Sequence, residues 1–342
     1  MSERAWIAEV GARGPLGLNS LQVTTAARAG KLEVRESLDL DKRKRPIGSA
    51  RARFLPEDLV GIERLVRLGA PALREAGRAL LPAVPLVVGI AGSERPDVGA
   101  EVEAEIVPRL ARAAEIAIDE ARSSVIRAGN ASFVMALEAA IALLDKGAPA
   151  VLVGGVDSLV HPAAYAWLDA AHRLHAEGTE DGIIPAEAAA FVMLVPGGAI
   201  DGRLFRPPAP MPLAGVRFAR SGREVAALDP DGPILAETLT SLVQAALVAS
   251  GAPPAWVISD LDEMHRVREW SRVELRCHPV FEGAQHDRLP DLFGDVGAAT
   301  GALAAAYACR GWSLGGSPRG VMLATLASDG AERGVLAIEE AR

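Results

Sequence analysis

Short apolar runs the length of buried strands alternate along the chain with longer Ala/Leu-rich stretches at helical spacing. That alternation predicts an α/β protein whose sheets are covered on both faces. AWIAEVGA (5–12) reads as the first strand; it stops near Gly11 and the turn Gly14-Pro15-Leu16-Gly17, after which Asn19 is placed to cap a helix through Arg28. The basic, proline-containing stretch 41–53, with its run DKRKRP, reads as a solvated loop. Beyond it the pattern predicts a helix over 56–78, a buried strand VPLVVGIAG (84–92) and a long amphipathic helix over 98–122.

Two later stretches repeat one order of elements. The first runs SSVIRAG, a helix NASFVMALEAAIALLDKG (130–147), a strand APAVLVGGVDS (148–158) and a further strand AAAFVMLVPGG. The second runs LFGDVGAATGALAAAYACRG (292–311), again a helix of small residues, then strands RGVMLATLASDG and ERGVLAIEEA. Small side chains allow close helix packing, so these two helices are expected in the middle of the molecule. The repeat implies two related halves, 1–205 and 206–342, joined by the proline-rich crossover GRLFRPPAPMP.

Composition narrows the function classes. The chain has 342 residues, half of them hydrophobic, which suffices for a large core; its net charge of -8 is spread over interspersed acids and bases, so no surface for nucleic acid is indicated. No apolar run approaches the roughly 20 residues of a membrane-spanning helix. MSERAWIAEVGARGPLG lacks the pattern of a signal peptide, and the two cysteines, Cys277 and Cys309, form no disulfide framework or zinc spacing. A cytoplasmic location without membrane contact is the expectation.

GGVDSLVHP (Gly154 to Pro162), followed by IIPAEAAAFVMLV (Ile183 to Val195), resembles the G-G-x-(D/E)-S strand and P-x-E-x-A-A hairpin of the β-ketoacyl synthases. Upstream, RAGNASFVMALEAAIALLDKG resembles the nucleophile elbow of that family, and downstream GDVGAATGALAAAYA resembles its G-H-x-x-G-A-A-G segment. The resemblance spans nearly the whole chain. It implies a thiolase-like fold with two pseudo-twofold-related halves, layered α-β-α-β-α around buried central helices.

For the activity the resemblance points the other way. The family carries a cysteine at the elbow, where helix N–H groups favour the thiolate; Asn130 stands there, and an amide cannot carry a thioester. The family's two histidines correspond to Asp260, at the end of AWVIS, and to Asp295, in GDVGAA. Ionised aspartate only accepts hydrogen bonds and opposes a developing enolate. Around Asp260 the sequence SDLDEMHRVREW departs from the family's A-H-G-T-G-T, and SDGAE (Ser328 to Glu332) replaces its last glycine-rich turn. Catalysis at these positions is therefore not expected.

Ser132, Phe133, Met135 and His161 are the candidate pocket residues, with Phe133 and Met135 bulky enough to close an acyl channel and leave a polar cavity lined by Asn130, Asp260 and Asp295. Ser132 reads as packing or capping, and His161, His172 and His175, the last two flanking Arg173 on a helix, read as satisfied or surface histidines. The DLDEMHR cluster reads as a salt-bridged loop tied down by Arg266 and Glu269. GxGxxG and GxxxxGK(S/T) are absent, so no nucleotide, other cofactor or metal is expected. Three functions remain: a non-catalytic homodimeric interaction protein; a partner of an active ketosynthase and its acyl carrier protein, like the chain-length factors that carry glutamine at the cysteine position; or an acyltransferase or hydrolase with a relocated nucleophile, Ser132 or Cys309.

Overall fold

The computed structural model describes residues 5–176, 179–197, 202–207, 210–228 and 232–341. Apolar alternation sets the first strand, β1 (Ala5–Arg13), and the side chain of Asn19 accepts from the Gln22 N–H at 2.9 Å to start α1 (Ser20–Arg28). A hairpin follows, β2 (Arg35–Leu40) and β3 (Pro46–Ser49), with its turn and second strand inside the stretch 41–53 read as loop. Its turn closes on one carboxylate: Asp41 accepts from the N–H groups of Arg43 (2.8 Å) and Arg45 (2.9 Å).

Next come α2 (Gly61–Gly77), β4 (Leu86–Ile90), α3 (Ala100–Ala114), β5 (Ser124–Arg127), α4 (Ser132–Asp145), β6 (Val151–Ser158), α5 (Pro162–Ala170) and β7 (Glu187–Pro196). The helix expected over 98–122 is shorter, because Glu115 turns into the left-handed region (φ 56°) and donates its N–H back into the helix. The chain then returns to the sheet, with Asp119 N–H donating to the Val84 carbonyl at 2.9 Å. His172 and His175 are not on a helix either: α5 ends at Ala170 and His172 itself has φ 56°.

The remaining elements are β8 (Ala214–Arg223), α6 (Glu237–Ser250), β9 (Trp256–Ser259), α7 (Met264–Cys277), β10 (Gln285–Arg288), α8 (Leu289–Phe293), α9 (Thr300–Leu314), β11 (Val321–Ala327) and β12 (Glu332–Glu340). Among the described residues one sheet runs in the order β10-β9-β11-β12-β8-β1-β7-β6-β4-β5. It divides at the short antiparallel contact of β1 with β8, through Trp6–Gly215 and Ile7–Ala214. Outward from that contact each side repeats the same senses: antiparallel, antiparallel, parallel, parallel. This is the pseudo-twofold arrangement of two related halves.

Side-chain period explains the layering. On β7, Ala190, Val192 and Leu194 face the central core, whereas Phe191, Met193 and Val195 face an outer one. The central core holds α4 (Phe133, Leu137) and α9 (Ala302, Ala306) between strands of both halves, including Val153 and Leu336. On the outer faces, α2 and α3 cover the first half, and α6 and α7 cover the second. The layers are therefore α-β-α-β-α, with the two small-residue helices in the middle.

Candidate functional site

The site forms where the N-termini of the two central helices meet. β5 leads into a single 3-10 turn, Gly129–Ala131, and then α4, which buries Asn130 at the elbow (6% exposed). The loop after β11 fastens this elbow: Ser328 Oγ donates to the Ala128 carbonyl and accepts from Ala131 N–H at 3.0 Å. Ser132, fully buried, turns away from Asn130's surroundings and donates to the Ala298 carbonyl at 3.4 Å. Phe133 lies in the central core and Met135 is half-buried.

The second central helix is positioned by carboxylates. Asp295 Oδ1 accepts from Gly297 N–H at 2.8 Å, while its backbone pairs with Ile184 and Ala186, both at 2.9 Å. Asp157 on β6 accepts from Ala298 N–H at 3.0 Å. Gly155 has to be glycine here, since a β-carbon would stand 2.1 Å from the Ala298 carbonyl oxygen, and one on Gly297 (φ 51°) would stand 2.1 Å from Asp157 Oδ2. Both aspartates thus hold the lead-in to α9 against the first half.

Asp260 directly follows β9. Its Oδ2 accepts from Ala327 N–H at 2.7 Å and lies 3.7 Å from Arg266. Arg266, almost wholly buried, also meets Asp262 at 3.5 Å and Asp329 at 2.9 Å. Arg173 then ties this cluster to the first half, reaching Glu263 at 2.7 Å and Asp329 at 2.6 Å. Glu269 instead holds Arg333 at 2.9 Å. The DLDEMHR cluster is salt-bridged through Arg266 as expected, whereas Glu269 does not tie it down and pairs with Arg333; both residues belong to α7.

Burial sets the protonation of these acids. It pushes Asp260 up to about 6 against the pull of Arg266 and the Ala327 N–H, and it raises Asp262 and Asp295 as well. Asp329 goes the other way: burial is outweighed by Arg173 and Arg266, which hold its carboxyl well below the usual range. A second buried cluster flanks the site, with Arg95 bidentate on Asp97 (2.7 and 2.6 Å) and 3.5 Å from Asp157. Despite burial, His161 and Arg95 hold Asp97 well below its ordinary value. His161 also caps α5, accepting from Ala164 N–H at 3.4 Å through Nδ1 while Nε2 donates to Asp97 at 2.9 Å.

The space left beneath Asn130 is about 10 Å3, lined by Asn130, Asp295, Asp157, Glu94, Arg95 and Asp329 among others. That is room for about one water molecule. Trp167, another lining residue, stacks with Arg95 (5.5 Å) and Arg173 (5.2 Å). Of the expected lining, Asn130 and Asp295 border this space, whereas Asp260, Ser132, Phe133, Met135 and His161 do not. Asp260 is drawn off by the Ala327 N–H and Arg266, and Ser132 by Ala298. Glu94, Arg95, Trp167 and Asp329 carry no signal in the hydrophobic pattern that would have marked them; Asp157 lies within the GGVDS segment that carried the resemblance, and Asp329 within SDGAE, where the sequence departs from it.

The neighbourhood offers acceptors and buried cations; the hydroxyl of Ser158 donates to Glu187 at 3.0 Å, but that carboxylate is already taken by Arg64 at 2.6 and 2.7 Å. Cys309 is buried in α9, and burial pushes its thiol up to about 12. Among the described residues, no group of three His, Cys, Asp or Glu is placed to hold a metal ion, and no helix is long and apolar enough to cross a membrane.

No protein-family model and no curated protein matches the sequence. Solved structures match along its whole length. A type II polyketide synthase acyl-carrier protein in complex with its ketosynthase bound to the hexaketide gives a TM-score of 0.78 at 13% identity, covering 100% of both chains. The ishigamide ketosynthase/chain length factor gives 0.74 at 16% identity, covering 99% of this chain and 100% of that one. The ketosynthase from module 6 of the bacillaene synthase of Bacillus subtilis 168 gives 0.75 at 14% identity, covering 99% of this chain and 72% of that one. The layered halves, the elbow at Asn130 and these likenesses together establish that the chain has the thiolase-like fold of ketosynthases and chain length factors.

Proposed function

We propose that the protein is a non-condensing subunit of ketosynthase fold that works through protein contacts, pairing with a second copy of itself. One observation carries this reading: the elbow presents an amide over a space of about 10 Å3. A covalent acyl intermediate needs a nucleophile and room for the acyl group, and burial of an acyl chain needs an open apolar cavity. Around Asn130 there are instead carboxylates, with Asp295 on the spot where the resemblance places a hydrogen-bond donor. An enolate oxyanion forming there would meet an acceptor.

The test is incubation of the purified protein with malonyl and medium-chain acyl thioesters, followed by intact-mass spectrometry and measurement of released carbon dioxide. No adduct, no carbon dioxide above background and no micromolar acyl binding by calorimetry are expected. Asn130→Cys should remain inactive, because the cysteine would still lack space and donors. A stable adduct or turnover by the unaltered protein overturns the reading, as does a relocated nucleophile identified at Ser132 or Cys309.

A second reading is favoured by the match to a ketosynthase/chain length factor. In it the protein pairs with an active ketosynthase that is served by an acyl carrier protein, and Asn130 replaces the glutamine of chain-length factors with an amide one methylene shorter. Co-expression decides between the two: a heterodimer that displaces the homodimer supports the second reading, and both operate in the cytoplasm.

A further inference from the structure

A larger cleft lies on the outer side of the first half, between α2, the end of β1 and the 54–59 loop, with α3 supplying Ala113 on its far side. It encloses about 590 Å3 and shares no lining residue with the space beneath Asn130. This is within the about 300–1,000 Å3 typical of small-molecule sites. Its walls are apolar, through Leu59, Val66 and Ala70 among others, and three arginines stand in them: Arg13, Arg67 and Arg74.

Those arginines are not equivalent. Arg74 is engaged, donating to the carbonyls of Ala114 and Ala113 at 2.9 Å each and lying 3.6 Å from Glu115. Arg13 is different. Its guanidinium lies 4.1 Å over the Phe54 ring, its Nε is buried without a hydrogen-bond partner, and burial lowers its pKa with no carboxylate opposing the effect. Exposed Arg67 likewise has no ion-pair partner among the described residues. The one acid in the lining, Glu63, is turned to Arg109 on α3. A partly desolvated guanidinium beside an apolar wall and without a counter-ion favours an anion that brings its own apolar surface.

We propose that this cleft binds a small amphipathic anion, with its carboxylate or phosphate head at Arg13 and Arg67 and its apolar body against Phe54, Leu59 and Val66. The site is independent of the reading given for Asn130 and stands or falls apart from it. A planar or short-chain body suits the cleft, and Phe54 holds the Arg13 fork in place so that little freedom is lost when the head group is bound.

Calorimetric titration of the full chain with octanoate and with phenyl phosphate, alongside the neutral analogues octan-1-ol and phenol, tests the proposal. At least one anion should bind saturably with one site per chain, and its neutral analogue should bind about tenfold more weakly or worse, as a charge-assisted contact requires. Arg13→Gln should weaken the anion about tenfold. Arg67→Glu, at an exposed position that leaves the fold intact, should do at least as much by reversing the charge at the mouth. Absence of saturable binding by both anions at millimolar concentration overturns the proposal. So does equal binding of anion and neutral analogue, or binding that Arg67→Glu leaves unchanged.

Discussion

Asp260 illustrates how a single side chain near the elbow links burial to stability. Its folded-state pKa of about 6 lies above the ordinary 3.8, so on raising the pH the unfolded chain ionises first. The stability present below about pH 4 is therefore lost as the pH rises through about 6, by an amount on the order of 3 kcal/mol. Asp260→Asn keeps an acceptor for the Ala327 N–H and cannot ionise. Urea unfolding at pH 4 and pH 7 should show a smaller loss with rising pH for the variant than for the parent; equal slopes would mean that Asp260 does not titrate in this range. At Glu187 the buried partner is what matters. Its carboxylate receives Arg64 at 2.6 and 2.7 Å with both side chains sealed from solvent, and it also accepts from Ser158 and Ala52. Glu187→Ala should cost about 3–5 kcal/mol in equilibrium unfolding, since it strands a buried guanidinium. Asn130 and Asp295 were legible in the sequence because they sit inside recognisable segments. Arg64 was not legible as the partner of Glu187, nor Asp329 as a partner of Arg266, because these residues meet only through the fold.

At the scale of elements, the strands and the two central helices were readable from periodicity and small-residue content, and errors collected at ends. The helix expected over 98–122 stops at Ala114 because the return to β4 requires a left-handed residue at Glu115, a tertiary demand that overrides helical patterning. The β2–β3 hairpin escaped notice because β2 is charged and largely exposed and β3 is only four residues long. The junction of β6 with the lead-in to α9 is a close backbone contact at this scale. Gly155→Ala should destabilise the protein by about 1–3 kcal/mol or more, because the added methyl meets a backbone oxygen that cannot swing aside. A melting temperature unchanged from the parent would show that the junction can relax.

At the scale of the molecule, β5 is the last strand of the sheet, and its residues Val125 and Ile126 are only half-buried. An unpaired edge of that kind is protected by pairing in soluble proteins. Edge-to-edge association about a twofold axis would extend the sheet across two copies. Static light scattering at micromolar concentration should give twice the chain mass; a monomer at that concentration would refute the pairing. The sequence by itself determined the α/β class and the repeat of element order, and it places Asn130 and Asp295 in short segments that resemble the ketosynthase elbow and its G-H-x-x-G-A-A-G segment. Those properties are written in local periodicity and in the identity of residues within short segments. Only the tertiary structure decided that Asp260 turns to Ala327 and Arg266, that Arg95, Trp167 and Arg173 crowd the elbow, and that a cleft of about 590 Å3 opens beside Arg13. Each of these depends on which side chains from distant segments win the few donors and the little space available, and such competition is settled by packing in three dimensions.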